Sequence, residues 1–219
     1  MLCDIRKNAK PKEYLLELKK PDLTSLGYIE GALNLRLSWD YQAPDRITFA
    51  LAKRVQDEEF ELVENPYWEL CRGDYIIELS ASGGDAEDER QRFLIQAPKV
   101  VADESGERKE IRADSLECEF VNKSLENYKS VSADDPDVLE PKCLRDILNG
   151  LFDSYMDGTW RVGYIDGDVD AKMRLYDFPQ GNILQFMDEL RKIFRCVFRF
   201  DTINRTVSAY DITVYETCP

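Results

Sequence analysis

Leu144-Arg145-Asp146-Ile147-Leu148-Asn149-Gly150-Leu151, then Thr159-Trp160-Arg161-Val162-Gly163, then Asn182-Ile183-Leu184-Gln185-Phe186-Met187-Asp188-Glu189-Leu190, decide how this chain reads. Cys196-Val197-Phe198-Arg199-Phe200-Asp201 and Thr206-Val207-Ser208-Ala209-Tyr210 complete the set. Leu144, Ile147, Leu148 and Leu151 fall at i, i+3, i+4 and i+7, one apolar stripe of a short helix. Pro141 suits the first turn of that helix, which is expected to run to about Phe152, with Gly150 loosening its end. Trp160 sits on a strand. A second helix opens at Asn182, where Asn182-x-x-Gln185 has capping-box spacing. Its buried face is Ile183, Met187, Leu190 and Phe194, widened by Leu184 and Phe186. Arg191, Lys192 and Arg195 in its last turn suit the negative end of the helix dipole. Phe198 and Phe200 then pair with Val207 and Ala209 across a loop of four or five residues.

Upstream, residues 13–121 read as β structure. Tyr14-Leu15-Leu16-Glu17-Leu18 is a strand, and Leu33, Leu35 and Leu37 alternate with polar residues to give one apolar face. Ile47, Phe49 and Leu51 repeat that device after a turn at Pro44-Asp45. Tyr75-Ile76-Ile77-Glu78-Leu79 and Arg92-Phe93-Leu94-Ile95 flank an acidic, glycine-bearing loop at residues 82–89. Residues 99–102 and 109–113 form a further pair around Gly106. The fold class is therefore α+β and β-rich, with an antiparallel, barrel-like N-terminal domain followed by an α+β domain of two helices and a hairpin. Residues 133–141, acidic and carrying Pro136 and Pro141, mark the boundary region. The expected domains are 1–130 and 131–219.

Composition narrows the function. The 219 residues include 43 acidic and 29 basic side chains, a net charge of −14. Such a surface repels nucleic acid, which suits a passage that lets DNA through without holding it, and it also keeps a protein soluble. The chain contains no histidine, which removes the commonest general base and every Ser-His or Cys-His arrangement. No apolar run reaches the roughly 18 residues of a membrane span, and the first residues lack the apolar core of a secretory signal. Cys3, Cys71, Cys118, Cys143, Cys196 and Cys218 make no C-x-x-C pair and read as reduced thiols of a protein made in the cytosol, with Cys196 a small buried residue.

Asp166, Asp168 and Asp170 alternate around Gly167 as calcium-loop oxygens do. The loop also needs glycine at its sixth place and glutamate at its twelfth; Ala171 and Asp177 stand there, so a polar turn is the better reading. Arg72-Gly73-Asp74 spells an adhesion tripeptide, but its glycine turns the chain into the strand at Tyr75. Asp134, Asp135 and Asp137 could pair with Asp166 or Asp168 as acid and base, which is enough chemistry for glycoside hydrolysis. No aromatic platform lies beside them, and Trp39, Trp68 and Trp160 read as core or interface aromatics rather than sugar-stacking rings. Pro66-Tyr67-Trp68 is a candidate exposed patch. No catalytic, cofactor-binding or metal-ligating residue is assigned.

Three passages carry a resemblance. Ile29-Glu30-Gly31-Ala32 leads into alternating strands through Phe49 to Asp74-Tyr75-Ile76-Ile77 and Arg92-Phe93-Leu94-Ile95. Ala113-Asp114-Ser115-Leu116-Glu117 and Leu125 follow. The helix at Leu144, the Trp160-Arg161-Val162-Gly163 strand, the helix at Asn182 and the final hairpin close the series. Over residues 13–210 this order resembles the N-terminal region of siphophage and prophage tail-tip proteins (tail-associated lysin or minor structural protein), which is similar to the baseplate hub of contractile-tailed phages. The resemblance implies a non-enzymatic structural protein of the virion tail tip, made in the bacterial cytoplasm. It implies a homotrimeric ring, contacts with distal tail and tail-tube proteins, and a channel that DNA crosses unbound. The family's region runs longer, so the chain is expected to be a fragment or to rely on domains of another polypeptide. The acidic stretches at 85–89 and 134–137 are expected to face channel or solvent. The alternatives are a carboxylate-based cell-wall hydrolase and a host-surface or carbohydrate-binding module.

Overall fold

The structure is a computed structural model that describes residues 13–38, 43–57, 59–82, 90–104, 106–132, 134–135 and 137–215. The chain divides into two compact units, Met1–Leu116 and Glu117–Pro219.

The first unit contains β1 (Glu13–Lys19), β2 (Ser25–Tyr28), β3 (Leu33–Ser38), β4 (Arg46–Ala52), β5 (Arg54–Gln56), β6 (Leu62–Glu64), β7 (Ile76–Ser82), β8 (Arg90–Ile95), β9 (Lys99–Asp103) and β10 (Gly106–Ser115). Eight of them form one antiparallel sheet in the order β2-β1-β7-β8-β10-β4-β3, with β9 also paired to β10. β5 and β6 make a separate hairpin. Alternation drives this arrangement. Ile47, Phe49 and Leu51 of β4 and Ile111 and Ala113 of β10 point to one core with Leu16, Leu18, Ile77, Phe93 and Ile95. Each leucine, isoleucine or phenylalanine among them contributes about 1.5–3 kcal/mol when fully buried. The unit is the expected antiparallel, β-rich layer. Among the described residues the two end strands, β2 and β3, do not pair with each other, so the sheet is open rather than a closed barrel.

β3 departs from the period-two expectation. The pairing with β4 slips between Leu33 and Arg36, where Asn34 takes a left-handed φ of 55°. The slip turns the strand, and Leu33 and Leu35 stay exposed on the sheet edge while Leu37 packs inward.

A 3-10 turn, Leu116–Phe120, leads into the second unit. This unit has β11 (Ser124–Lys129), α1 (Leu144–Tyr155), β12 (Arg161–Ile165), α2 (Gly167–Asp170), β13 (Asp177–Asn182), α3 (Ile183–Phe194), β14 (Cys196–Asp201), β15 (Thr206–Asp211) and α4 (Ile212–Tyr215). β11 pairs with β13, and this is why residues before 131 belong to the second unit. β14 and β15 form the expected hairpin with Phe198 opposite Ala209 and Phe200 opposite Val207. β12 joins β15 in parallel, as a strand can only after a long crossover.

α1 starts at Leu144, later than Pro141. Lys142 exchanges backbone hydrogen bonds with Arg174, so the chain is still extended there. Gly150 does not loosen the helix, which continues to Tyr155. α1 buries Leu144, Ile147, Leu148, Leu151 and Phe152. α3 starts where its cap dictates. Asn182 Oδ1 accepts from Gln185 N–H at 2.9 Å, and Gln185 Oε1 accepts from Asn182 N–H at 3.0 Å. Arg195 ends it in a left-handed conformation.

Candidate interaction surfaces

The residues with chemical potential are dispersed into structural tasks. Asp166 accepts a hydrogen bond from the Tyr164 hydroxyl at 2.6 Å and one from the Asp211 N–H at 2.8 Å. Asp170 binds the Arg145 guanidinium at 2.9 Å, and Asp168 is exposed in α2. The alternating aspartates therefore hold a turn, and no group of three potential metal ligands forms among the described residues. Asp135 accepts from the Asp137 N–H at 2.9 Å in a local turn, and Asp134, Asp135 and Asp137 are all exposed. The 85–89 acidic stretch, Trp39, Cys3 and Cys218 lie outside the described residues.

Arg72-Gly73-Asp74 is the turn into β7: Asp74 N–H donates to Ile95 O, and the Arg72 guanidinium lies 4.6 Å from the Tyr75 ring centre. Tyr67-Trp68 is not an exposed patch. Trp68 is buried, with the Lys109 ammonium 4.9 Å from its ring, and Lys109 donates to Trp68 O and Cys71 O. The burial could not be read locally because Lys109 comes from a distant strand. Cys71, Cys118, Cys143 and Cys196 are not joined in disulfides; burial pushes the Cys71 and Cys196 thiols up to about 12, so they are inert at neutral pH.

Trp160 is 1% exposed and belongs to the core of the second unit. Its ring lies 4.7 Å from Phe120, and its indole N–H donates to Glu119 Oε2 at 2.9 Å. Glu119 also takes a two-pronged hydrogen bond from Arg205, at 2.7 and 3.0 Å. Glu119 and Arg205 edge a shallow cleft of about 420 Å³ with Asn122, Lys123, Met156, Asp157 and Thr159. Of its two carboxylates, Glu119 is held by Arg205 and Trp160, and Asp157 is exposed.

Sequence reasoning missed the β5–β6 hairpin. Phe60, near its tip, carries a phenyl ring that is 80% exposed, and Leu62 beside it is 66% exposed. The signal was there: Val55 and Leu62-Val63 flank an acidic run that reads as a turn.

Comparison with solved structures identifies the fold. The chain superposes on prophage tail protein gp18 of Listeria monocytogenes EGD-e with a TM-score of 0.60 and 13% identity, covering 92% of this chain and 52% of that one. The chain has the fold of prophage tail proteins. A tail protein of Neisseria meningitidis MC58 gives a TM-score of 0.59 at 8% identity, over 90% of this chain and 50% of that one. The 43 kDa tail protein of prophage MuSo2 from Shewanella oneidensis gives 0.53 at 12% identity, over 90% and 53%. The chain thus spans about half the length of these tail proteins. No family model and no curated protein matches the sequence.

Proposed function

We propose that this chain is a non-enzymatic structural component of a phage or prophage tail tip or baseplate hub. It assembles as a homotrimeric ring around the DNA path and docks on distal tail and tail-tube proteins. The two compact units act as its two domains, and the protein works in the virion after synthesis in the bacterial cytoplasm. The observation that supports this reading is the match of nine-tenths of the chain to separate tail proteins at 8–13% identity. The net charge of −14 suits the lining of a passage for DNA, because like charge keeps the duplex from sticking. The exposed carboxylates of Asp134, Asp135 and Asp137 are placed on the solvent or channel side in this reading.

The test is mass spectrometry of purified particles from the organism that encodes the chain. Peptides of the chain should co-purify with tail-tube protein at a fixed low copy number. Intact tailed particles without the chain would overturn the proposal. Turnover of peptidoglycan by the pure protein, lost on a single Asp→Asn change, would favour the hydrolase instead.

A further inference from the structure

We propose that the outer face of the first unit's sheet, at Arg36, Arg46 and Arg112, receives the exposed stripe of α1, Asp146, Asn149 and Asp153, from another copy of this chain. The inference rests on the self-assembly proposed above and names a contact that would carry it.

The sheet sorts its charge. Leu18, Ile47, Phe49, Ile77, Phe93 and Ile111 face the core, so their neighbours along each strand stand on the opposite face. There stand Lys19, Arg36, Arg46, Arg90, Arg92 and Arg112. Their carboxylate partners lie beneath them. Glu78 takes Lys19, Arg90 and Arg92, and Asp114 takes Arg46 at 2.7 Å and Arg112 at 3.0 Å. Glu17 pairs with Lys19 at 3.0 Å, and Glu110, further along β10, pairs with Arg108 at 3.5 Å. The Glu17, Glu78 and Asp114 side chains are only 17%, 3% and 12% exposed. Arg46, Arg90 and Arg112 keep 40%, 48% and 51% of theirs in solvent, and Arg36 is exposed. Cations outnumber carboxylates around both Glu78 and Asp114, so solvent meets a cationic face on a chain of net charge −14. Leu33, opposite Ala50, adds half-exposed apolar area to the same face. Arginine suits an interface because its planar guanidinium binds a carboxylate by two parallel hydrogen bonds.

α1 carries a charge its own helix does not want. Asp146, Asn149 and Asp153 are exposed at i, i+3 and i+7, away from the buried Leu144, Ile147, Leu148 and Leu151. Asp146 suits the first turn. Asp153 lies in the last turn, at the negative end of the helix dipole, where a cation would be favoured and no basic residue stands. Arg145, the one cation of the helix, is held by Asp170 at 2.9 Å, and Lys142 precedes the helix. Asp157, past its end, shares the cleft with Lys123 and Arg205 and is not part of the stripe. Spacing matches as charge does. Arg36 stands opposite Thr48, and Thr48 opposite Arg112, so the two arginines are two strand spacings apart, about 9.5 Å. Asp146 and Asp153 are about 10.5 Å apart along the helix axis. A helix laid across β3, β4 and β10 sets one carboxylate over each arginine, with Asn149 over Thr48. Duplex DNA, charged at every phosphate, would also meet the exposed Glu110 on this face. The face and the stripe are different surfaces, so the contact is head-to-tail, the type that closes rings.

The experiment is light scattering of the full chain across a concentration series, for the natural sequence and two sets of variants. The first set is Arg36→Gln with Arg112→Gln, which leaves Asp114 its ion pair with Arg46. The second is Asp146→Asn with Asp153→Asn; Asp153→Asn alone should leave the thermal midpoint of the dilute chain equal or higher. Each set should weaken association by at least about tenfold. Both together should weaken it little more than either, because they remove the same pairs. A trimer indifferent to both sets would overturn the contact and leave the ring standing. Losses that add in full on combination would overturn α1 as the occupant. A labelled DNA duplex held by the natural chain and released by the first set, with association unchanged, would overturn a protein occupant. An assembly of another size with coupled losses would keep the contact and remove the trimer. One chain mass at every concentration would overturn both.

Discussion

Glu78 shows how much of the first unit rests on one side chain. Its carboxylate is buried on β7 and meets Lys19 at 2.8 Å, Arg92 at 2.9 Å and Arg90 as well. Burial alone would raise its pKa. The hydrogen bonds from the three cations outweigh that and hold it near about 2, below the ordinary 4.5. Because the folded value is depressed, Glu78 contributes its full stability above pH 4.5 and loses it as pH falls from there through 2. Asp114, held down by Arg112 and Arg46 against its burial, acts in the same direction. Urea midpoints measured over that pH range should fall for the natural protein and fall less steeply for Glu78→Gln. At neutral pH the Glu78→Gln protein should be less stable by about 3 kcal/mol, the cost of breaking a buried pair and leaving cations without a counter-charge. Glu119 makes a second test. Glu119→Ala removes the acceptor of both Trp160 and Arg205, and a loss of about 2 kcal/mol in the same assay is expected. Most of these partnerships were not legible in the sequence, since Lys19–Glu78, Arg46–Asp114 and Arg205–Glu119 join residues far apart in the chain, Arg112–Asp114 being the local exception.

Local rules explain the elements that were read correctly. The start of α3 was visible because both halves of its capping box lie within four residues. Asn182→Ala should lower stability by about 1 kcal/mol while Asn182→Ser changes little, as chemical denaturation would show. Gly181 matters just upstream. A Cβ there would come within 2.7 Å of Gln185 Oε1 and 2.5 Å of the Phe178 ring. Gly181→Ala should therefore disturb the cap and cost about 1–3 kcal/mol, the range for overpacking. The β14–β15 hairpin was legible for a similar reason, its alternation being short-range and strict. β13 was hidden because Pro179 and Gly181 are poor strand residues, tolerated only at an edge. Its partner β11 is largely polar and gave no period. β3 misled because its leucines alternate correctly in sequence, and only the pairing slip against β4 decides which of them is buried.

At the scale of the whole molecule, composition and order carried the reading further than any motif. The aspartates are dispersed into local turns and ion pairs, and the fold is that of prophage tail proteins, which supports the assembly role proposed above. The order of helix, strand, helix and hairpin after a β-rich unit was enough to reach that fold. The long-range pairings were not, because the partner of an edge strand is fixed by the rest of the sheet and leaves no local trace. The central claim is that this chain is made to bind copies of itself, and sedimentation equilibrium of the purified protein up to high concentration tests it most directly. The account predicts a species of three times the 25.4 kDa chain mass. A single-chain mass throughout would contradict it.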